Sequence, residues 1–110
     1  MAQSKAELFK KEFTENALYF KALAHPARLQ ILKFLAESNS CITGDISEEL
    51  PLGRTTVNQH IKELKQIGLI QGNIEGVTTK YCINPSKIDE IQQALQLFFD
   101  NLNIQNYKCD

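Results

Sequence analysis

The chain has 110 residues, of which 43% are hydrophobic and 23% charged. These proportions are those of a globular domain, so they exclude the disordered, collagen-like and acidic-tail classes and predict one domain over residues 1–110. The net charge of −1 gives the chain as a whole no electrostatic preference for nucleic acid. No stretch approaches the roughly 18 apolar residues of a membrane-spanning helix, and no secretory signal is recognisable. We therefore expect a soluble, cytoplasmic protein that does not contact a membrane.

The first two predicted helices lie on either side of a proline. Residues 6–23 predict a helix, because the larger apolar side chains lie on one helical face. They follow one another at steps of four, four, three and four: Phe9, Phe13, Ala17, Phe20 and Ala24. His25-Pro26 interrupts this pattern and predicts the start of the second helix, since a proline loses no helical hydrogen bond in the first turn. The second helix is expected to end near residues 38–40.

Two further helices are predicted around a Pro-Leu-Gly break. A short third helix is expected over residues 43–50, with Thr43 as its N-cap. Residues 51–53 end it, and a fourth helix follows over residues 54–67. Its apolar side chains return along one face at Val57, Ile61, Leu64 and Ile67. Gly68 supplies the left-handed conformation with which many helices end.

A β-hairpin and a last helix complete the predicted elements. Residues 69–74 and 78–83 are rich in β-branched and aromatic types, and Glu75-Gly76 between them can turn the chain. After residues 84–86 a fifth helix is expected. Its apolar side chains form a seam of heptad-like spacing: Ile88, Ile91, Leu95, Phe98 and Leu102. Residues 103–110 carry no pattern and are expected to form a mobile tail.

This order of elements is that of a winged helix-turn-helix, a mainly α fold with a β-hairpin wing and here about five helices. The fourth helix would be the recognition helix, because its apolar stripe leaves a polar face outward. That face consists of Arg54, Thr55, Thr56, Asn58, Gln59, Lys62 and Lys65. Amide side chains can bond base edges in a DNA groove, and cations neutralise phosphates. A polar face that contacts only solvent is the alternative, since these residue types are common on exposed helices.

Positive charge gathers in the same region. Between residues 54 and 87 five basic residues stand against two acidic ones, a net charge of +3, whereas residues 1–53 carry −1 and residues 88–110 carry −3. In the hairpin Lys80 is the only basic residue. We therefore expect few phosphate contacts from one subunit and a need for a second subunit.

Two segments resemble the ArsR/SmtB family of small winged-helix transcriptional repressors. Residues 22–32 read ALAHPARLQIL, which is similar to the family's ALAHPTRLRIL opening of the second helix. Residues 52–64 read LGRTTVNQHIKEL, which is similar to its LSQSTVSHHLKxL recognition segment. Residues 67–70, the Glu75-Gly76 turn and Tyr81 follow in the family register. The resemblance as a whole extends over nearly the whole chain, with these segments in the family order and at the expected spacings.

The resemblance implies a homodimer that binds double-stranded DNA at a partly palindromic operator, with its two recognition helices in successive major grooves. It implies base contacts from Arg54, Thr55, Asn58 and Gln59, and phosphate contacts from Lys62 and Lys65. The first and last helices would hold the dimer together, through Phe9, Phe13, Ile88, Ile91, Leu95, Phe98 and Leu102. The alternative is that the stripe on the last helix packs on the core of its own subunit.

Two positions depart from the family pattern. Gly53 stands where relatives commonly have a capping serine, a change that costs only about a few tenths of a kcal/mol. The hairpin lacks the arginines that relatives often carry there, so contact between the wing and DNA is left open.

The residues leave the inducer open as well. The family's arsenite pattern would need cysteines at Ile42 and Gly44, and its zinc site needs a histidine that the last helix lacks. A thiol sensor built from Cys41, Cys82 or Cys109 is the remaining hypothesis, since thiolates bind soft metals and As(III). The alternative for Cys82 is a small, buried or half-buried hydrophobic residue of a strand. Three cysteines without a CxxC pair indicate a reducing compartment rather than a disulfide scaffold.

A sequence-specific repressor without a cofactor or a resident metal is the function that these residues favour. A winged helix that binds protein rather than DNA is the alternative, since the chain is slightly acidic and the wing has few cations. An enzyme is not expected, because we find no nucleophile with a base, no carboxylate pair and no phosphate-cradling glycine loop. His25 is expected to cap or pack, and His60 to pack or to bond the backbone, rather than to bind metal.

Overall fold

The computed structural model describes residues 9–38, 40–43, 50–75 and 78–109, and of residues 43, 73–75 and 78–79 it describes the backbone. In chain order the elements are α1 (Lys11–Leu23), α2 (Pro26–Glu37), β1 (Ile42–Thr43), α3 (Arg54–Gln66), β2 (Ile70–Glu75), β3 (Thr78–Ile83) and α4 (Pro85–Asp100). This is the mainly helical fold with a β-hairpin wing that the sequence predicts. The third helix predicted over residues 43–50 falls mostly on residues 44–49, which lie outside the described part of the chain.

The first two helices begin where the local sequence allows it. The sequence predicts a first helix from residue 6, whereas α1 begins at Lys11, because Lys10 has the extended backbone of an N-cap; residues 6–8 lie outside the described ranges. His25 caps α2 as expected, since its ring Nδ1 accepts a hydrogen bond from the backbone N–H of Ala27 at 3.0 Å. Pro26 occupies the first helical position, where its missing N–H has no partner to lose.

One hydrophobic core joins α2, α3, α4 and the wing. Its buried members are Ile31, Leu35, Leu50, Val57, Ile61, Leu64, Leu69, Ile70 and Ile91. Ile31, Val57 and Leu64 are 0% exposed, so each contributes the roughly 1.5–3 kcal/mol that full burial of such a side chain supplies. This core fixes α3 by one face, and the opposite face is left outward.

The end of α3 passes directly into the wing. Gly68 has φ +85°, and the N–H groups of Gly68 and Leu69 donate to the carbonyls of Lys65 and Leu64 at 3.0 and 3.1 Å. This is the Schellman arrangement that the left-handed glycine predicts. Because Leu69 is 2% exposed, the wing starts from a buried anchor and is held close to α3.

The wing sheet has three strands where the sequence predicts two. The order is β1-β3-β2, with antiparallel pairing throughout. β2 and β3 form the predicted hairpin, whose turn at residues 76–77 lies outside the described ranges. β1 adds only two residue pairs, Ile42 with Tyr81 and Thr43 with Lys80, too short a run for a sequence pattern to reveal.

Cys41 and Cys82 form a disulfide across this sheet, with their Cα atoms 4.4 Å apart. The interpretation of Cys82 as simply a small hydrophobic residue is therefore wrong, although the residue is half-buried as expected. The physical reason is register. Ile42 pairs with Tyr81, so the next antiparallel pair sets Cys41 directly opposite Cys82. Cys109 is a free, exposed cysteine.

The seam predicted on the last helix is only partly available to a second subunit. Ile91 is 4% exposed and belongs to the core of its own chain, and Ile88 and Leu95 pack against that core. The alternative weighed from the sequence, packing within the subunit, therefore holds for these three residues. α4 packs against the domain through these three residues. Leu97 and Phe99 of the same helix are exposed.

Candidate nucleic-acid interface

The two faces of α3 differ sharply in burial. Val57, Ile61 and Leu64 are 0%, 3% and 0% exposed. The outward face carries all seven polar residues predicted to contact DNA, and each of them is exposed: Arg54, Thr55, Thr56, Asn58, Gln59, Lys62 and Lys65. A helix held so firmly by one side presents its other side as a rigid row of donors, acceptors and cations. Such a row can enter a major groove.

A hydrogen-bonded arginine ties α3 to the two preceding helices. The Nε of Arg28, on α2, donates to Nδ1 of His60 at 3.1 Å. Its Nη1 donates to the backbone carbonyl of Ala22 near the end of α1 at 3.1 Å. Sequence patterns did not predict this role of Arg28, although the residue lies within the segment that carries the family resemblance. His60 is buried as expected, but its partner is this side chain rather than the backbone.

The surroundings of His60 disfavour its protonated form. Burial lowers the pKa of His60 below its ordinary value of 6.5, and the nearby His25 and Arg28 lower it further, while Glu63 acts in the opposite direction. The rings of His25 and His60 lie 4.2 Å apart between centroids. Neutral His60 can accept the hydrogen bond from Arg28 on Nδ1, whereas the imidazolium carries a proton there and cannot.

Acid is therefore expected to destabilise the fold through His60. As the pH falls through about 6.5 the unfolded chain takes up a proton at this residue before the folded chain does, so stability decreases toward lower pH. Urea unfolding followed at about pH 7.5 and about pH 5.5 measures the loss. The His60→Gln variant keeps an acceptor for Arg28 but does not titrate, so it should lose less stability over this interval. Equal losses in both proteins would contradict the assignment.

Three of the four lysines in the positive region stay available to an anion. Lys87 does not, because its Nζ lies 2.7 Å from a carboxylate oxygen of Glu90. Lys62 and Lys65 are exposed on α3 and Lys80 is exposed on β3. Within the described part of the chain neither Lys62 nor Lys65 forms an ion pair. The amine of Lys65 reaches across Gly72 of β2, where a Cβ atom would stand 3.5 Å from it.

The two amide side chains on α3 are not equivalent. The Nε2 of Gln59 donates to a carboxylate oxygen of Glu63 at 3.2 Å, one turn along the helix. An exposed hydrogen bond of this kind contributes little net energy, so Gln59 can exchange it for another partner at small cost. Asn58 stands beside it on the exposed face. Asn58 is thus the amide whose donor and acceptor are presented with the least rearrangement.

We name a second surface, on the first and last helices, the α1–α4 apolar face. It comprises the exposed residues Phe13, Leu18, Phe20, Leu97, Phe99 and Leu102, which are 40–57% exposed. Its centre is a ring cluster in which Phe20 contacts Phe98 and Phe99 edge to face at 6.3 Å. A cavity of about 240 Å³ opens between the two helices, beside Phe13, Leu97 and Leu102. Sequence patterns do not reveal Leu97 and Phe99 because these residues lie off the heptad-like seam of the last helix. Leu18 likewise lies off the apolar stripe of the first helix.

Two negative observations apply to the described residues. No group of three or more histidine, cysteine, aspartate or glutamate side chains is arranged there to hold a metal ion. No helix there is long and apolar enough to span a membrane.

Comparison with known proteins gives a consistent result. Residues 25–71 match the family described as "Bacterial regulatory protein, arsR family". The chain is 35% identical over 81 residues to an uncharacterised HTH-type transcriptional regulator of Methanocaldococcus jannaschii, covering 74% of this chain and 91% of the relative. It is 30% identical over 81 residues to the transcriptional repressor PagR of Bacillus anthracis, covering 74% and 81% of the two chains. An ArsR-like transcriptional regulator from Rhodococcus sp. RHA1 shares the fold, with a TM-score of 0.66 at 20% identity over 83% of this chain and 85% of that one.

Proposed function

Because the chain belongs to the ArsR family of helix-turn-helix transcriptional regulators, we propose that it is a homodimeric repressor that reads a partly palindromic operator with α3. One observation carries the proposal. An exposed row of amide, hydroxyl and basic side chains stands on a helix whose other face is buried to 0–3% exposure at Val57, Ile61 and Leu64. The relative PagR, named a transcriptional repressor and 30% identical to this chain, supports repression. The site of action is the cytoplasm, where the DNA would be reached.

Side-chain chemistry assigns base contacts to some residues of α3 and phosphate contacts to others. Arg54 and Asn58 have the fork and amide geometries that bond guanine and adenine bidentately in the major groove. Thr55 and Gln59 supply further hydrogen bonds to bases or phosphates. Lys62 and Lys65 lie farther along the helix and neutralise phosphate, which adds affinity without sequence information. Thr56 and Lys80, also exposed, belong to the margin of the same surface.

Dimerisation through the α1–α4 apolar face completes the proposal. One subunit offers few cations, so its phosphate contacts alone give weak binding. A second copy doubles the contacts, and it covers apolar side chains such as Leu97 and Phe99, which are 57% and 55% exposed in the single chain. Because a two-fold dimer uses the same patch on both subunits, the operator is expected to be partly palindromic.

A protein-binding winged helix is the second candidate. The overall charge of −1 and the single wing cation favour it over a module that binds DNA by charge alone. It differs from the first candidate in one measurable respect, since it has no operator.

Selection of bound sequences from random duplex DNA, at a stated salt concentration, separates the two candidates. The proposal expects enrichment of one motif with two related halves whose centres lie about 10 base pairs apart. Recovery of no enriched motif would favour the protein-binding module. Repression itself is then tested by placing the enriched motif over a promoter and measuring transcription with and without the protein.

Substitutions on α3 should separate base contacts from phosphate contacts. Asn58→Ala is expected to cost about 1–3 kcal/mol on the enriched motif and less on unrelated DNA, so sequence preference relaxes. Lys65→Ala is expected to weaken binding to all sequences alike and to reduce the slope of log affinity against log salt by about 1. Fluorescence anisotropy over a salt series measures both quantities.

Matched controls come from the exposed face of α2. Gln30→Ala and Lys33→Ala remove an amide and a cation there and should leave affinity and salt slope unchanged. Both residues are exposed. If Asn58→Ala and Lys65→Ala changed specificity equally, the division between base and phosphate contacts would be wrong.

A further inference from the structure

The sheet register holds Cys41 and Cys82 together. β1 and β3 pair antiparallel at Ile42 with Tyr81, which sets the two cysteines opposite each other with Cα atoms 4.4 Å apart. That spacing is about the distance of a non-hydrogen-bonded cross-strand pair, in which facing side chains approach closely. Backbone pairing directly beside the two cysteines therefore brings their sulfurs together independently of the covalent bond.

The sulfurs are also within reach of solvent. Cys41 and Cys82 are half-buried rather than part of the core. Both line an open surface cavity of about 380 Å³, together with Leu35, Ala36 and Pro85 among others. A small thiol or disulfide reagent can enter such a cavity, and thiol–disulfide exchange needs direct approach to a sulfur atom.

The loop that this bond closes contains the whole candidate DNA surface. All eight residues proposed to meet DNA, from Arg54 to Lys80, lie in the chain between Cys41 and Cys82. Without the bond, β1 is held to the sheet by only two residue pairs. With it, Cys41 next to β1 is fixed covalently to β3, so the state of the two sulfurs bears on how rigidly the wing sheet beside α3 is held.

We propose that Cys41 and Cys82 are a reversible modification site, oxidised by a low-molecular-weight disulfide such as glutathione disulfide, whose oxidised form binds operator DNA more tightly. The inference rests on the proposed DNA-binding function. A protein that acts on DNA works where thiols are kept reduced, and disulfides in that compartment are usually transient and redox-sensing.

The chemistry balances as two exchange steps. The thiolate of one cysteine attacks glutathione disulfide, forming a mixed disulfide and releasing one glutathione thiolate. The second cysteine, as thiolate, attacks the protein-bound sulfur, forming the Cys41–Cys82 bond and releasing a second glutathione. The two protein thiols lose two electrons and two protons in all, and glutathione disulfide gains the two electrons. A dithiol such as dithiothreitol reverses both steps and is itself oxidised to a cyclic disulfide.

Oxidation is expected to raise DNA affinity because it removes motion that binding must otherwise suppress. Fixing β1 against the wing restricts the loop around α3 before DNA arrives, and a preorganised surface loses less entropy on binding. We expect operator affinity to fall on the order of tenfold when the bond is reduced.

The experiment equilibrates the full chain in glutathione buffers of graded composition and makes two independent measurements. Peptide mapping by mass spectrometry follows the Cys41–Cys82 link, and anisotropy follows affinity for the selected operator. The link should form and disappear reversibly, with affinity following it. Reduced wild-type protein supplies the disulfide-free state without any substitution, so a folding defect in a variant does not decide the result.

Cysteine variants locate the effect. Cys41→Ser and Cys82→Ser should each bind DNA like the reduced protein in every buffer, whereas Cys109→Ser, which removes the free exposed cysteine, should respond like the wild type. Any one of four results would overturn the proposal. The link could resist dithiothreitol in the folded protein, or the response could be lost in Cys109→Ser. The two states could also bind DNA with equal affinity, or the reduced form could bind it more tightly.

The two measurements also separate the failure of this inference from that of the proposed function. If the link titrates reversibly but no DNA sequence is bound in either state, the DNA-binding proposal fails, and the claim about affinity fails with it. If DNA is bound specifically but the link never forms, only the modification site is overturned.

Discussion

A Leu97→Asp/Phe99→Asp double variant is expected to be monomeric. Its affinity for the operator should fall by a factor of about 10² to 10⁴, because that is the usual gain in affinity from joining two binding sites. Leu97 and Phe99 are 57% and 55% exposed, so neither aspartate is buried in the single chain, although Phe99→Asp also removes ring contacts with Phe20 and Phe98. In a dimer that buries this face, four carboxylates would lose water beside apolar surface, which is costly without partners. Size-exclusion chromatography with light scattering, followed by anisotropy on the operator, measures both effects.

The control is Leu29→Asp, which places an aspartate on an apolar residue of α2 that is 53% exposed. It should remain dimeric and fully active. If the double variant stayed dimeric, the α1–α4 apolar face would not be the subunit interface. If it became monomeric but kept full operator affinity, the dimer would not be needed for recognition.

Leu64→Ala is expected to lower the free energy of unfolding by about 2–5 kcal/mol, the range for truncating a buried leucine. Leu64 is 0% exposed, and its backbone carbonyl also accepts the hydrogen bond from Leu69 that closes α3. The substitution leaves a cavity beneath the last turn of α3. Urea unfolding at a fixed protein concentration measures the loss, since the stability of a dimer depends on concentration.

Leu29→Ala is the control for truncation, because it removes the same atoms from a residue that is 53% exposed. A change within about 0.5 kcal/mol is expected there. Should Leu64→Ala not fold at all, Ile61→Val, at a residue that is 3% exposed, is expected to cost about 0.5–1.5 kcal/mol. Costs near zero at both core positions would contradict the packing of α3 described above.

Local patterns predicted the elements that local physics determines. The apolar spacing of Val57, Ile61 and Leu64 predicted α3 and its outward face, and the structure confirms both. Pro26 and Gly68 predicted a helix start and a helix stop, because each residue restricts or permits particular backbone angles regardless of what packs against it. The β-branched runs on either side of residues 75–76 predicted the hairpin for a similar reason.

Features that depend on distant partners escaped prediction. β1 consists of Ile42–Thr43 and is a strand only because β3 pairs with it. The Cys41–Cys82 bond spans a sequence separation of 41, and it follows from that same pairing. No pattern within the sequence defines the register of two strands so far apart.

For the last helix the sequence predicted the helix itself correctly, but only part of the predicted seam is exposed to a second subunit. Its apolar residues predicted α4, but they lie around more than one side, and periodicity does not say which side meets the subunit's own core. The structure directs Ile91 inward, at 4% exposed, and leaves Phe99 outward at 55%. The candidate interface between subunits therefore moves from the seam toward the α1–α4 apolar face.

The central claim is that two copies of α3 occupy successive major grooves of one operator. Dimethyl sulfate protection on the enriched duplex tests it most directly, because the reagent methylates guanine N7 in the major groove, where the acceptors read by Arg54 and Asn58 lie. The account predicts two protected patches centred about 10 base pairs apart, on one face of the duplex. A single protected patch, or no protection of the major groove by protein that binds the duplex, would contradict it.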